Sequence, residues 1–339
     1  MNTAMINSNK IVGYALGGGA AKGLFHIGVL SVLEENGIFP NFIAGTSMGA
    51  IVGAMYASGL KAADMKQIVQ QINWRKILRL TDLSIPFSGL TQGKGIDDLL
   101  KSIIEERTFS DLKIPFACVA TDLKNGTQVV LKDGLLIDAI RASISLPAIL
   151  TPKKIDGRYL LDGGLVNVVP VSVCREMGAN FVIGVNALSD IEMDTAVLSG
   201  PPVQELEGTD YNITALPVPL DHKYSVFQRR SFSIEKGIEK FMQDYQSRLN
   251  KMINNNPLLR LTHRKNSSTS DAPYMFNVII QAITIMEYQI ALDNIKLADL
   301  AISPMSKNIG SWQFYKADEA IALGEQTTRS FLKQFKLAQ

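Results

Sequence analysis

Apolar residues recur at two spacings along the first sixty positions, and the switch from one to the other is abrupt. "KIVGYAL" (Lys10–Leu16) is short, partly β-branched and ends against glycine, which predicts a buried strand. "AKGLFHIGVLSVLEENG" follows with Leu24, Ile27, Leu30 and Leu33 at helical spacing and stops at Gly37, which predicts a helix. "NFIAGTSMGAIVGAMYASG" repeats the plan: a short strand, a tight glycine turn, and a helix that ends at Gly59. Two consecutive strand–turn–helix units predict a parallel sheet with helical crossovers. Further strands are predicted at Pro115–Asp122, Thr127–Gly134, Arg158–Gly164 and Phe181–Ala187, with helices between and around them.

The texture changes from about Asp190 to Pro273. "SGPPVQELEGTD" and "NSSTSDAP" are turn-rich, and between them lies a basic segment, His222–Lys265, with ten Lys/Arg against three Asp/Glu. Ile234, Ile238, Phe241, Met242, Tyr245 and Leu249 share one helical face within it. Two readings stand: a helix docked on the core with a solvated basic face, or a lid that meets anionic lipid as a peripheral membrane contact. The longest apolar stretch, Phe276–Leu292, is interrupted by Gln281, Glu287 and Gln289, so it is expected to be a buried helix and not a membrane span.

Composition narrows the classes. The chain of 339 residues is 46% hydrophobic and 19% charged, an ordinary globular balance, and its net charge of +2 gives no argument for nucleic acid. Cys118 and Cys174 sit in apolar surroundings and are read as reduced core residues of a cytoplasmic protein. Three scattered histidines and two distant cysteines have no ligand spacing, so no metal is expected. The first ten residues lack the charged and apolar regions of a signal peptide. Oligomeric state is not legible.

"LGGGAAKG" (Leu16–Gly23) has the glycines of a phosphate-binding loop without its other requirements. A Walker A lysine follows glycine and precedes Ser or Thr, whereas Lys22 follows Ala21 and precedes Gly23. A dinucleotide fingerprint starting at Gly17 ends on Lys22, and the next strand, "FIAGTS", closes with no carboxylate. What remains is physical: a glycine-rich strand-to-helix turn aims several N–H groups at one spot and favours an anion there, including one that exists only in a transition state.

A nucleophile for such a site is offered by "GTSMG" (Gly45–Gly49), which matches the G-x-S-x-G elbow between an apolar strand and a helix. Gly45 and Gly49 allow the tight turn and close packing; the plainer role for Ser47 is a helix N-cap. A serine needs a base. His222 and His263 follow Ser47 but lie in the polar variable segment, and His26 precedes it on the first helix, where packing is the simpler reading. Asp162, in "RYLLDGG", ends a strand as Ser47 does and can accept a proton if a dry pocket raises its pKa; its plainer role is a turn aspartate.

Four ordered blocks, "LGGGAAKG", "GTSMG", "AIRASISLPAILTP" (Ala139–Pro152) and "DGG" (Asp162–Gly164) followed by "NVVP", make the chain resemble the bacterial patatin-like phospholipases. Lys296–Glu325 resembles the closing elements of that family. The resemblance implies an α/β fold, a three-layer α/β/α sandwich with a central mostly parallel sheet. It implies one domain, with a catalytic core at 10–190, a variable insertion at 191–275 and closing elements at 276–330. It also implies a Ser47–Asp162 dyad, an oxyanion hole of backbone N–H groups from Gly18, Gly19, Ala20 and Met48, and no cofactor. Lys22 stands where the family more often has arginine, Ala20 where it more often has glycine. "AIRASISLPAILTP" is expected to be scaffold. The expected activity is lipid acyl hydrolysis of the phospholipase A or lysophospholipase type. The alternatives are another esterase or thioesterase, or a lipid-binding regulator without turnover.

Overall fold

The computed structural model describes residues 10–72, 94–188, 272–305 and 309–337. The basic segment, His222 and His263 lie outside them.

The predicted alternation is realised. Strand β1 (Val12–Leu16) leads through a 3-10 turn, Ala20–Leu24, into helix α1 (Phe25–Glu35); β2 (Phe42–Thr46) leads directly into α2 (Met48–Ala57). Helices α3 (Ala62–Gln71) and α4 (Lys94–Ile104) precede β3 (Phe116–Asp122) and β4 (Gln128–Leu131). Next come α5 (Leu136–Ser143), the hairpin β5 (Lys153–Ile155) and β6 (Arg158–Asp162), α6 (Val171–Glu176) and β7 (Phe181–Val185). Helix α7 (Ala272–Ile295), β8 (Leu300–Ile302) and α8 (Ala317–Leu337) close the described chain.

These strands form one sheet in the order β5-β6-β3-β2-β1-β7-β8, with β4 paired to β3. Its centre is parallel, and the β3–β4, β3–β6 and β5–β6 pairs are antiparallel. Because side chains alternate across a strand, each central strand feeds two cores. Tyr14, Ile43, Cys118 and Ile183 point into one, with α1, α2, α3 and α8. Ala15, Ala44, Val119 and Val182 point into the other, with α6 and α7. Helices therefore cover both faces of a mostly parallel sheet, as expected. The two cysteines are buried free thiols, and burial raises the pKa of each.

Two close approaches fix the layer beside β1. Helices α1 and α8 cross with backbone against backbone, because a side-chain carbon on Gly28 would run into Ile321 O and one on Gly324 into Phe25 O. The α2 helix is pressed on the sheet in the same way at Gly49, where such a carbon would collide with Leu16 O.

One expectation needs correction. The apolar stretch Phe276–Leu292 is helical, but it is not a buried helix: Ile279, Ile285 and Met286 are exposed, while Ile283 and Ala291 are buried. The periodicity was too apolar all round to show which face packs, and its polar residues decide it instead. No helix among the described residues is long and apolar enough to cross a membrane.

Candidate active site

Strands β1, β2 and β6 bring their carboxyl ends to one place, where sites assemble in open α/β sheets. Ser47 follows β2 with φ 54° and ψ −119°, a conformation that L-residues rarely adopt and that marks a strained elbow. It occupies the N-cap position of α2, but its side chain caps nothing. Ser47 Oγ donates instead to Asp162 Oδ2 at 2.8 Å. The turn is tight enough to need glycine on both sides: a methyl group on Gly45 would sit 2.5 Å from Gly49 O.

Asp162 makes both of the contacts its sequence position allows. Oδ1 accepts from Gly164 N at 2.8 Å, the bond of a turn aspartate, while Oδ2 faces the serine. The residue is 2% exposed. Burial raises its pKa above the ordinary carboxylate range, against the opposing pull of the Gly164 and Ser47 hydrogen bonds. An aspartate in this setting can hold a proton that a solvated one would release.

The stretch read as scaffold braces both residues. Ser143 Oγ accepts from Ser47 N at 2.9 Å, and Asp162 N donates to Ser145 O at 3.0 Å. Arg141, 3% exposed, donates to Ser145 Oγ at 2.7 Å and pairs with Asp97 of α4 at 3.0 Å. Thr121 Oγ1 donates to Asp162 O at 2.7 Å, so β3 holds the aspartate from a third side.

The glycine loop lies across from Ser47. Gly19 has φ 152° and Ala20 φ 46°, so Ala20 takes a left-handed conformation at a modest cost. Gly17 N donates to Val185 O at 3.0 Å, and His26 Nε2 donates to Gly17 O at 2.7 Å. Burial pushes the pKa of His26 down to about 4, so the ring is neutral and acts as a strut beneath the loop. One expected donor is already engaged: Gly18 N donates to Val168 O at 3.0 Å. Gly19, Ala20 and Met48 have no backbone acceptor for their N–H groups among the described residues, and these are the free donors near Ser47. The sequence gives no sign of the Gly18 bond, because Val168 lies far along the chain.

Beside this polar corner opens a cavity of about 180 Å³. Its lining is mostly aliphatic, with Met48, Val52, Leu100, Ile144 and Leu150 among the residues that face it, and Ser47 and Asp162 border it. Glu287 of α7 borders it too. Sequence reading takes Glu287 only as a break in an apolar run; a carboxyl placed at the centre of such a run is itself the signal that it faces something polar. Gly164 leaves room for it, since a methyl group there would sit 2.5 Å from Glu287 Oε1 and 3.2 Å from Asp162 Oδ1.

A serine on a strained strand-to-helix elbow, a buried carboxylate as its hydrogen-bond partner and a loop of free N–H groups together have the layout of a serine-hydrolase site on an α/β sandwich. Comparison with known proteins places it further. Residues 14–175 match the family model described as Patatin-like phospholipase. Over that stretch the chain is similar to the patatin-like phospholipases. An uncharacterized NTE family protein of Mycobacterium tuberculosis is 38% identical over 180 residues, which is 53% of this chain and 50% of that protein. Human patatin-like phospholipase domain-containing protein 6 is 34% identical over 200 residues, 56% of this chain and 14% of that one. The chain thus spans half or less of the length of these relatives. Among solved structures, VipD from Legionella pneumophila superposes with a TM-score of 0.46 at 13% identity, over 96% of this chain and 67% of that one.

Proposed function

We propose that this chain is a lipid acyl hydrolase that cleaves carboxylic esters through an acyl-enzyme on Ser47. The observation that carries the reading is the 2.8 Å bond from Ser47 Oγ to a buried Asp162 at the mouth of an aliphatic cavity. Ser47 attacks the ester carbonyl while Asp162 takes its proton, and the carbonyl oxygen becomes an oxyanion facing the N–H groups of Gly19, Ala20 and Met48. Collapse of this intermediate returns the proton from Asp162 to the leaving alcohol. Water, deprotonated by the same aspartate, then attacks the acyl-serine and releases the fatty acid.

Desolvation suits each partner. A buried aspartate is a stronger base than a solvated one, and backbone donors fixed by the fold need no reorganisation when charge arrives. The aliphatic walls match an acyl chain, whose burial is favourable by about 0.8 kcal/mol for each methylene. Residues 222–265, with their basic face, are proposed as the peripheral contact with an anionic membrane.

The test is product analysis on vesicles of phosphatidylcholine, lysophosphatidylcholine and triacylglycerol, with wild type against Ser47→Ala. Release of fatty acid from at least one of them by wild type and by no mutant preparation is expected. Equal release by the mutant would exclude the serine, and release from none would exclude a lipid ester as substrate.

A further inference from the structure

The site holds a second carboxyl, half-buried, for which the dyad has no use. Glu287 comes from α7, more than a hundred residues after Asp162, and its Oε1 shares with Asp162 Oδ1 the space over Gly164 that would just hold a methyl group. Two carboxyls this close in an aliphatic cavity cannot both ionise cheaply, so one negative charge is favoured over two. Which of them carries it follows from their partners. Asp162 receives the Ser47 hydroxyl and the Gly164 N–H, both of which stabilise a carboxylate. Glu287 has no such support: burial and the charge of Asp162 both act to keep it protonated.

We propose that Glu287 is the second carboxyl of this site and acts through Asp162: neutral, it leaves Asp162 as the single charge beside Ser47, and ionised, it makes Asp162 a stronger base. This rests on the Ser47–Asp162 reading above. The direction follows from where charge goes. When Ser47 gives up its proton, negative charge leaves Asp162 for the glycine loop and so moves away from Glu287. An ionised Glu287 favours that movement, whereas a neutral one is indifferent to it.

Other charged groups near Glu287 do not compete for this role among the described residues. On the facing helix α6, Arg175 is bound to Asp299 at 2.6 Å, and Cys174 is a buried thiol whose pKa burial raises; Glu176 lies at the far end of that helix. On α7 itself Asp293 pairs with Lys296 at 2.8 Å, and Tyr288 is the other titratable neighbour. The 3-10 turn Gly163–Leu165, which packs on α7, carries no titratable side chain of its own.

The experiment follows the rate at which a fluorophosphonate labels Ser47, from about pH 6 to about pH 10, in wild type, Glu287→Gln and Glu287→Ala. Labelling needs only the attack of Ser47 and the loss of fluoride, so deacylation and lipid charge do not enter. Near neutral pH, Glu287→Gln should label within about twofold of wild type, because it replaces one neutral group by another of the same shape. At the alkaline end wild type should gain about three- to tenfold over Glu287→Gln, the gain expected when a base becomes one or two powers of ten stronger. Glu287→Ala should lack the alkaline gain as well, which separates a charge effect from the loss of a packed side chain. Superimposable profiles for wild type and Glu287→Gln would overturn the proposal. Failure of the dyad reads differently: Asp162→Asn would then label as fast as wild type, whatever the Glu287 variants do.

Discussion

The turns after β1 and β2 are built on one plan and present opposite things. Both leave a parallel strand through glycine, and both enter a helix of the same layer. The first leaves the N–H groups of Gly19 and Ala20 without a backbone acceptor among the described residues, and Ala20 and Leu24 line the cavity. The second holds its backbone still and lifts one side chain. The difference lies in which residue takes the positive φ: Gly19 and Ala20 in the first, and Ser47 alone in the second. The supports differ accordingly. A neutral histidine and three carbonyl acceptors from other segments hold the first turn, while Ser143 and the backbone of β1 hold the second. On the proposed reading, a strand-to-helix turn becomes an anion cradle or a nucleophile mount according to the residue that bears the strained conformation.

The comparison breaks most severely at the partner of the second turn. Asp162→Asn should lower ester turnover by about a thousandfold or more, since the serine loses its base. The same change should raise Tm at neutral pH. Burial lifts the pKa of Asp162 in the folded state, so folded protein holds a proton that the unfolded chain has already lost. Stability then falls as pH rises from the ordinary carboxylate range, about 3.9, through the raised folded value, and an uncharged asparagine avoids that loss. A thermal melt and a turnover assay on the same preparation check both directions.

The next effect contrasts the glycines of the two turns. Gly49→Ala forces a methyl group into Leu16 O, a backbone atom that cannot swing away, and should cost about 2–4 kcal/mol in denaturant unfolding. Gly18→Ala meets nothing nearer than Ser47 Cβ at 3.5 Å and should cost less than about 1 kcal/mol. Equal costs would mean that the two turns are packed alike.

Ser143→Ala should be milder. It removes the acceptor that orients Ser47 N and is expected to lower kcat about tenfold with KM unchanged, with part of the rate restored in Ser143→Thr. The smallest effect belongs to Ala20→Gly, which removes a left-handed alanine and should shift stability by less than about 1 kcal/mol.

Much of this is legible in the sequence. Six of the strands and both glycine turns follow from spacing, because short apolar runs closed by turn residues leave a strong trace. Ser47 and Asp162 are legible for the same reason, each at the end of such a strand. The groups that tune them are not. Ser143 and Ser145 sit in a stretch whose pattern shows only a helix and a turn, and their bonds to Ser47 and Asp162 exist only once β6 lies beside β3. Gly18 is distinguished from Gly19 by a carbonyl at Val168. Glu287 is visible as an oddity in an apolar helix, but its neighbour is set by where α7 lands on the sheet.

The central claim is that Ser47 is a nucleophile activated by Asp162. Intact-mass analysis after brief exposure to a fluorophosphonate tests it most directly, with wild type, Ser47→Ala and Asp162→Asn compared after each is shown to be folded by circular dichroism. One adduct on wild type, mapped to the peptide that contains Ser47, is predicted, with none on Ser47→Ala and a strongly slowed reaction for Asp162→Asn. An unlabelled wild type, or an adduct that survives Ser47→Ala, would contradict the account.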